Sequence, residues 1–214
     1  MERPLPVQPD LWEDIDGDEL CLDFANTADM HAAPQPEEHL NQYADLVRWG
    51  LAAGLYSAPD GQRLLAKAEQ NPGQAEQTLT RAIELREAIY RIFSAAANAR
   101  PIPVGEVQVL NHYLSQALRQ ARVEAHGNGF GWGWSGAPDT LERMIWPAAR
   151  SAAEVLTDPD RLARIGQCED DRGCGWLFVD TSKNHSRRWC SMETCGNRAK
   201  AMRHYGRAKK KTTP

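Results

Sequence analysis

The segment Cys168-Glu169-Asp170-Asp171-Arg172-Gly173-Cys174, followed later by Cys190-Ser191-Met192-Glu193-Thr194-Cys195, decides the fold of the C-terminal part of the chain. Four of the five cysteines fall in these two short-spaced pairs. Two such pairs are the general form of a four-cysteine zinc site, because each tight turn presents two thiolates to a tetrahedral ion. Four sulfur ligands leave no open position for water. Cys168, Cys174, Cys190 and Cys195 therefore predict one structural Zn²⁺ and no catalysis at the metal.

The residues around these cysteines predict a small fold in the order knuckle, hairpin, helix, which is similar to a treble-clef finger. The apolar residues 176–179 form a strand that is expected to pair with a returning strand over 186–189. The tryptophan in each of these strands is expected to form the mini-core of the finger. Ser191 is expected to cap a helix that carries Cys195 and continues through Tyr205.

Other interpretations of the cysteines stay open. The four thiols could be buried or free, and His185 or His204 could replace one of them as a ligand. A disulfide is disfavoured because the expected compartment is reducing. The fifth cysteine, Cys21, lies in an apolar run far from the others and is predicted to be a buried core thiol.

Length and composition indicate a globular protein. The 214 residues are 42% apolar and 25% charged, which suits one large domain, or a medium domain with a small one. The first 20 residues are acidic and proline-rich, and they lack the basic and apolar regions of a signal peptide. No stretch approaches the roughly 18 apolar residues of a membrane span. We therefore expect no membrane segment and a cytoplasmic location.

The net charge of −4 conceals a division of charge along the chain. Residues 1–160 carry 12 Lys+Arg and 24 Asp+Glu, whereas residues 161–214 carry 13 Lys+Arg and 5 Asp+Glu. A proline in the segment Thr157-Asp158-Pro159-Asp160 also ends a predicted helix close to this change of sign. We therefore expect two domains, a helical domain over 1–160, called the body, and a zinc finger with a basic helix over 161–214.

The body is predicted to be mainly helical. Apolar residues at helical spacing predict helices over about 77–98, 107–121 and 141–156, and Pro147 should kink the last of these. Weaker patterns predict helices over about 37–53 and 60–70.

A β-hairpin is predicted between the second and third of these helices. The apolar alternation continues across His126-Gly127-Asn128-Gly129, which is typical of a hairpin turn. Trp132 and Trp134 then share one face, and they are expected to cap the helical core. The predicted fold class is therefore mainly α: a helical domain with a small β-hairpin, followed by a small treble-clef-like finger.

The C-terminal segment is strongly basic. From Lys183 to the end it carries 10 Lys+Arg and one acid, Glu193. On a helix, Lys200, Arg203 and Arg207 share one face, and such a face on a rigid scaffold is typical of a nucleic-acid reader. The predicted nucleic-acid-binding residues are Arg187, Arg188, Asn197, Arg198, Lys200, Arg203 and Arg207.

Internal pairing is the alternative use of these charges. Asp180 could pair with Arg187 or Arg188, and Arg198 could brace a knuckle. The acidic body could also dock the basic tail.

Several stretches resemble known families. Cys174-Gly175-Trp176-Leu177-Phe178-Val179-Asp180, Ser186-Arg187-Arg188-Trp189-Cys190-Ser191-Met192 and Cys195-Gly196-Asn197-Arg198 resemble the CGNR zinc-finger family. Upstream, Leu20-Cys21-Leu22-Asp23-Phe24-Ala25-Asn26-Thr27 and Leu85-Arg86-Glu87-Ala88-Ile89-Tyr90 resemble the helical ABATE domain that precedes that finger. The resemblance implies bacterial origin, one zinc ion on the four cysteines and a role as a stress-induced transcription regulator.

The leading hypothesis is a DNA-binding transcription regulator, in which the finger holds the basic helix and the body binds a small-molecule effector or forms a homodimer. One alternative is a zinc-stabilised protein-interaction module. Another is an enzyme with its active site in the body. The polar residues available there form no spaced catalytic motif, so no catalytic residue is assigned. These residues are Asp23, Asn26, His31, His39 and His112.

Overall fold

The computed structural model describes residues 19–137 and 139–202 of the chain. The helices are α1 (Leu20–Ala25), α2 (Tyr43–Ala52), α3 (Ala58–Gln70), α4 (Pro72–Ala97), α5 (Val104–Gln120), α6 (Ile145–Leu156) and α7 (Pro159–Leu162). The strands form three antiparallel pairs, β1 (Ala28–Asp29) with β2 (Glu37–Glu38), β3 (Ala121–His126) with β4 (Gly129–Trp134), and β5 (Ile165–Gln167) with β6 (Leu177–Val179). A π-helical turn over Met192–Gly196 leads into α-helical residues 197–202. The prediction of a mainly α fold with small hairpins is confirmed.

Helix α4 forms the centre of the body. It packs against α1, α2, α3, α5 and α6, and it buries Leu85, Ile89 and Phe93 completely. The helix begins at Pro72, five residues before the predicted start. Proline suits this first position because its fixed φ is helical and its missing N–H has no partner there in any case.

The N-terminal part of the body departs from the predicted pattern. Helix α2 begins only at Tyr43, because residues 37–38 pair with β1 instead of continuing a helix. The short helix α1 was not predicted. Cys21 lies within α1 and is fully buried, which confirms its prediction as a core thiol.

The prediction that Pro147 kinks a helix over 141–156 is wrong. Residues Leu141–Met144 form a 3-10 turn, and α6 begins after it at Ile145. Pro147 is therefore the third residue of α6, within the first turn, where backbone N–H groups have no partner inside the helix. The proline costs no hydrogen bond there and interrupts nothing.

The predicted hairpin β3–β4 is confirmed. Gly127 has a φ of +55° at the first position of its two-residue turn, a conformation that glycine adopts without strain. Trp134 packs against Trp146 of α6, with ring centroids 5.8 Å apart, and so caps the core as expected. Trp132 does not, since half of its surface is exposed.

The pairing predicted for the finger hairpin is wrong. Strand β6 pairs with β5, which precedes the first cysteine pair, and residues 186–189 form no strand. Gly166 of β5 makes this possible, because a Cβ there would lie 2.5 Å from the Phe178 ring. Ile165 and Leu177 join the main hydrophobic core of the body. The division into domains over 1–160 and 161–214 stays a prediction. No helix in the described ranges is both long and apolar enough to cross a bilayer.

Candidate metal centre

The four clustered cysteines bring their sulfur atoms to one point. All four Sγ atoms of Cys168, Cys174, Cys190 and Cys195 lie within 4.8 Å of one another. The Sγ atom of Cys190 is 3.8 Å from that of Cys174 and 3.7 Å from that of Cys195. A tetrahedral zinc ion with Zn–S bonds of about 2.3 Å requires sulfurs about 3.8 Å apart. The four cysteines are therefore positioned to hold a single metal ion, as a structural Zn²⁺ site requires.

The first knuckle, residues 168–174, lies at the tip of the β5–β6 hairpin. The Cys168 N–H donates to the Trp176 carbonyl over 2.8 Å, which continues the strand pairing up to the first ligand. Gly173 and Gly175 flank Cys174 with φ of +92° and +67°. These left-handed conformations disfavour any residue with a Cβ, so the two glycines turn the chain around the second ligand.

The second knuckle, residues 190–195, is a helix start. The Ser191 hydroxyl accepts a hydrogen bond from the Thr194 N–H over 3.3 Å, which confirms Ser191 as the predicted cap. The π-helical turn that follows carries Cys195. The predicted continuation of this helix through Tyr205 lies partly outside the described residues.

A small hydrophobic cluster surrounds the sulfurs. Phe178 is buried between Cys168 and Cys195, and Trp176 and Trp189 pack against this group. The predicted mini-core of the two tryptophans is confirmed, with Phe178 at its centre. This cluster screens one side of the site from water.

The protonation of the thiols also favours a cation. Hydrogen bonds from the Cys174 and Cys190 thiols lower the pKa of Cys168 to about 2. The hydrogen bond to the Cys168 sulfur, together with burial, raises the pKa of Cys174 to about 12, and the Cys168 and Cys174 sulfurs raise the pKa of Cys190 as well. One thiolate, that of Cys168, is thus stabilised by neighbouring thiols that keep their protons. A metal ion supplies a positive charge and releases those protons, so its affinity falls as the pH falls.

Two hydrogen bonds of Asn26 join the body to the finger. The Leu177 N–H donates to Asn26 Oδ1 over 3.0 Å, and Asn26 Nδ2 donates to the Leu177 carbonyl over 2.9 Å. Asn26 follows α1, 151 residues earlier in the chain, and both residues are buried. The amide thus pairs with β6 on the side that faces away from β5, as a neighbouring strand would.

A second contact joins the first knuckle to the loop over residues 30–33, called the docking loop. The N–H groups of His31 and Ala32 donate to the carbonyls of Cys174 and Gly173 over 3.0 and 3.1 Å. A Cβ on Gly175 would lie 2.5 Å from the Tyr90 hydroxyl and 2.7 Å from Ala32 N. The knuckle glycines therefore allow close docking as well as a tight turn.

A buried ionic network supports the docking loop from beneath. The Arg86 guanidinium, which is almost wholly buried, binds both carboxylate oxygens of Glu38 at 2.6 and 2.7 Å and also Glu87. His31 stacks on Tyr90 with centroids 3.5 Å apart and binds Glu87 over 3.0 Å. Although burial opposes its charge, hydrogen bonds and charges from His31 and Arg86 lower the pKa of Glu87 to about 2.

Comparison with protein families accounts for both parts of this arrangement. One family model, ABATE, described as "Putative stress-induced transcription regulator", matches residues 18–159. The chain belongs to the ABATE family. A second model, the CGNR zinc finger, matches residues 164–208 of this ABATE protein. The comparison with curated proteins found no match.

The contacts of the finger residues in the ABATE protein were missed by the sequence analysis. Asn26, Arg86 and Glu87 all lie in the stretches that resemble ABATE. The sequence did not show which residues they contact. Asn26 was considered as a polar group of a possible enzyme site, but it binds backbone atoms of the finger. In the sequence, its position directly after the apolar run of residues 20–25 was the one signal for a buried, structural role.

Two of the arginines predicted to bind nucleic acid have internal partners in the ABATE protein. Arg187 donates to the carbonyls of Trp189, Val179 and Cys190, and it lies 4.4 Å from the Phe178 ring centroid. Arg198 binds the fully buried carboxylate of Asp170 in the first knuckle. Arg198 thus joins the helix after the second knuckle to the first knuckle, and Arg187 joins the start of the second knuckle to β6.

The other predicted residues differ in their exposure. Arg188 is half-exposed, binds Glu169 and lies over the Trp189 ring at 5.0 Å. Asn197 is exposed and donates to the Glu193 carbonyl, and Lys200 is exposed. Arg203 and Arg207 lie outside the described residues. Asp180 accepts hydrogen bonds from the backbone N–H groups of Ser182 and Arg187.

An open cleft of about 540 Å³ lies between the finger and the β1–β2 region of the body. The body contributes Asp29, Met30 and Glu37 to it, and both knuckles line the opposite wall. The described lining includes none of the five polar residues considered for an enzyme site. Two of these five residues have partners nearby in the chain, because His39 binds Asp29 and His112 binds Gln116.

Proposed function

We propose that this ABATE protein is a DNA-binding transcription regulator, in which Cys168, Cys174, Cys190 and Cys195 hold one structural zinc ion. The observation that carries the proposal is the position of the four sulfurs. They fix the start of a helix at the head of the most basic segment of the chain, with 10 Lys+Arg against one acid from residue 183 onward. The family description, a regulator of transcription, supports it independently.

The proposed interface lies on the exposed side of the finger. Arg187 and Arg198 hold the finger together, so their guanidinium groups are already occupied by carbonyls and by Asp170. Among the described residues, the exposed Lys200 and the half-exposed Arg188, which pairs with Glu169 at the surface, are proposed to contact phosphate oxygens. Arg203 and Arg207 are proposed from the sequence alone. Such contacts position a protein on DNA without reading its sequence, and the exposed Asn197 is the side chain proposed to reach a base edge.

The body is proposed to control this interface. A small-molecule effector in the cleft would touch the β1–β2 region and both knuckles at once, because residues from all three line it. A homodimer would place two fingers on one duplex, and two linked weak contacts bind more tightly than either alone. Both the effector proposal and the homodimer proposal assume that the body and the finger stay in contact, as they do through Asn26 and the docking loop.

Salt dependence of duplex binding tests the proposal. With about four phosphates contacted, log K should fall against log salt with a slope of about −3.6, measured by fluorescence anisotropy on a labelled duplex. Charge reversal at Lys200, Arg203 and Arg207 should remove most of that slope. Lys67→Glu, on the exposed surface of α3, is the matched control and should leave it nearly unchanged.

Metal content should be followed in the same experiment. The intact chain should carry one zinc ion, and chelation should abolish duplex binding together with the order of the finger, because such sites supply folding free energy. Absence of duplex binding at low salt in the zinc-loaded protein would contradict the proposal. Loss of a protein partner on charge reversal, with no change in duplex binding, would instead favour an interaction module.

A further inference from the structure

The four ligand residues of the metal centre differ in their exposure. Cys168 and Cys195 are only 6% and 4% exposed, whereas Cys174 and Cys190 are half-buried. The small hydrophobic cluster encloses the first two, because Cys168 and Cys195 are buried against Phe178. Each knuckle therefore has one ligand residue that is closed to solvent and one that is partly open.

The cleft between the finger and the body leads to the two half-buried ligand residues. Cys174 and Cys190 line it, together with the small exposed part of Cys195, and Cys168 is absent from its described lining. The cleft volume of about 540 Å³ far exceeds the roughly 30 Å³ that one water molecule occupies. A reagent only slightly larger than water can therefore approach Cys174 and Cys190 in the folded protein.

The charges of the cleft leave access as the deciding property. Its described lining contains three basic and three acidic side chains, those of Arg172, Arg187, Arg198, Asp29, Glu37 and Glu193. Because the two signs offset each other, the cleft does not concentrate a charged reagent of either sign. An uncharged reagent such as hydrogen peroxide enters it without electrostatic selection.

We propose that Cys174 and Cys190 are a peroxide-sensitive pair, which is oxidised to a disulfide from the cleft with release of the zinc ion. The inference rests on the zinc-bound centre of the proposed function, and it does not require DNA. Cysteines that bind zinc are thiolates, and the thiolate is the nucleophilic form of cysteine. The Sγ atoms of Cys174 and Cys190 are 3.8 Å apart and must approach to about 2.05 Å to form a disulfide.

The oxidation takes two steps. One thiolate attacks an oxygen atom of hydrogen peroxide, the O–O bond breaks, and a sulfenic acid and a hydroxide ion form. The second thiolate then attacks the sulfenic sulfur, so that the S–S bond forms, the S–O bond breaks and a second hydroxide ion leaves. The two sulfurs lose two electrons, which the peroxide gains, and the hydroxide ions take protons from the buffer. The zinc ion loses two of its four thiolate ligands and dissociates.

The contacts around the site should make this oxidation reversible. The docking loop donates two hydrogen bonds to backbone carbonyls of the first knuckle, and these bonds do not depend on the metal. The second knuckle is joined to β6 and to the first knuckle through Arg187 and Arg198. The new disulfide also links the two knuckles directly. The oxidised finger should therefore keep its ligand residues close together and bind zinc again after reduction.

Oxidation of the full-length, zinc-loaded chain with hydrogen peroxide tests this inference without DNA. A chromophoric chelator measures zinc release, and mass spectrometry of alkylated peptides measures the state of each cysteine. We expect one zinc ion to be released for each disulfide, and the first disulfide to join Cys174 with Cys190. Cys21, fully buried in α1, is the internal control and should remain a free thiol. Dithiothreitol and added zinc should restore the original metal content.

A variant that narrows the cleft tests the importance of access. Glu37 is exposed, lines the cleft from the body and does not belong to the metal centre. Glu37→Trp should slow zinc release at least about threefold, because reaction of a cysteine depends on access to its sulfur. Glu37→Gln removes the charge but keeps the size, so it is the matched control and should leave the rate unchanged. Circular dichroism and zinc content check that both variants fold.

Several results would overturn the inference. Retention of zinc in excess peroxide is one, and a first disulfide that includes Cys168 or Cys195 is another. Zinc release without any disulfide, or equal rates for Glu37→Trp and the wild type, would also contradict it. A chain that binds no zinc at all would contradict the metal centre itself and this inference with it. A chain that holds zinc but binds no duplex would contradict only the proposed DNA binding, because the peroxide reaction is measured separately.

Discussion

Replacing Asn26 with alanine should loosen the finger from the body. The change removes the two hydrogen bonds between the Asn26 amide and Leu177, 2.9 and 3.0 Å long, in a place where both residues are buried. A buried donor or acceptor left without a partner costs about 1–3 kcal/mol. The Leu177 N–H and carbonyl both lose their partner, so we expect a loss of about 2–4 kcal/mol in the free energy of unfolding. For a chain of this length that corresponds to a fall of about 5–15 °C in Tm.

Urea unfolding of the zinc-loaded protein, followed by tryptophan fluorescence, measures this loss. Asn41→Ala is the matched control, because Asn41 is exposed, and its side chain makes a single hydrogen bond to the Glu38 carbonyl. Its effect should stay within about 0.5 kcal/mol. Asn26→Asp preserves the shape and can still accept from the Leu177 N–H, but it cannot donate to the carbonyl, and should destabilise as much as alanine. A loss below about 1 kcal/mol for Asn26→Ala would refute the idea that this amide holds the finger to the body.

Three other perturbations test separate parts of the structure. Gly175→Ala should lower the free energy of unfolding by about 2 kcal/mol or more in thermal melts, because of its φ of +67° and the nearby Tyr90 hydroxyl. Gly73→Ala, in open space on α4, is the control and should be neutral or stabilising. Equal effects of the two changes would argue against close docking. The lowered pKa of Glu87, about 2 against 4.5, contributes stability that is complete above pH 4.5 and lost as the pH falls towards 2. The difference in unfolding free energy between wild type and Glu87→Gln should therefore vanish over that range, while the exposed Glu69→Gln shows no such difference at any pH. Arg198→Ala leaves the Asp170 carboxylate buried without its main partner and should speed zinc transfer to a chromophoric chelator about tenfold. Lys200→Ala is the control and should leave that rate unchanged. An unchanged rate for Arg198→Ala would contradict the role of Arg198 in joining the two knuckles.

The parts of the fold that could be predicted depend on short-range patterns. Cysteine spacing identified the metal site, since two tight turns that each present two thiolates need only local geometry. Helical periodicity identified α4 and α5 for the same reason, and Ser191 was identifiable as a cap from the residues after it. The position of Pro147 within its helix was not, because the pattern alone cannot distinguish a 3-10 turn from the first turn of an α-helix.

The remaining features depend on contacts between distant residues. Strand β5 is only three residues long and shows no alternation, so its pairing with β6 left no pattern in the sequence. The side chains of Arg187 and Arg198 point inward to carbonyls and to Asp170, and a count of charges cannot show a direction. The hydrogen bonds between Asn26 and Leu177 join residues 151 positions apart, and no short-range sequence pattern predicts them.

That separation has a consequence for synthesis on the ribosome. Asn26 emerges early, but Leu177 is added 151 residues later, and at about 5–20 residues per second this takes roughly 8–30 s. The hydrogen bond from the Cys21 N–H to the Ser151 hydroxyl is delayed in the same way, because Ser151 is added 130 residues later. The contacts of α1 and Asn26 with β6 therefore form only after the first strand residues of the finger have been translated. Nascent chains that stop before Leu177 should leave the buried amide of Asn26 without its partner, and we expect chaperones and proteases to recognise such chains.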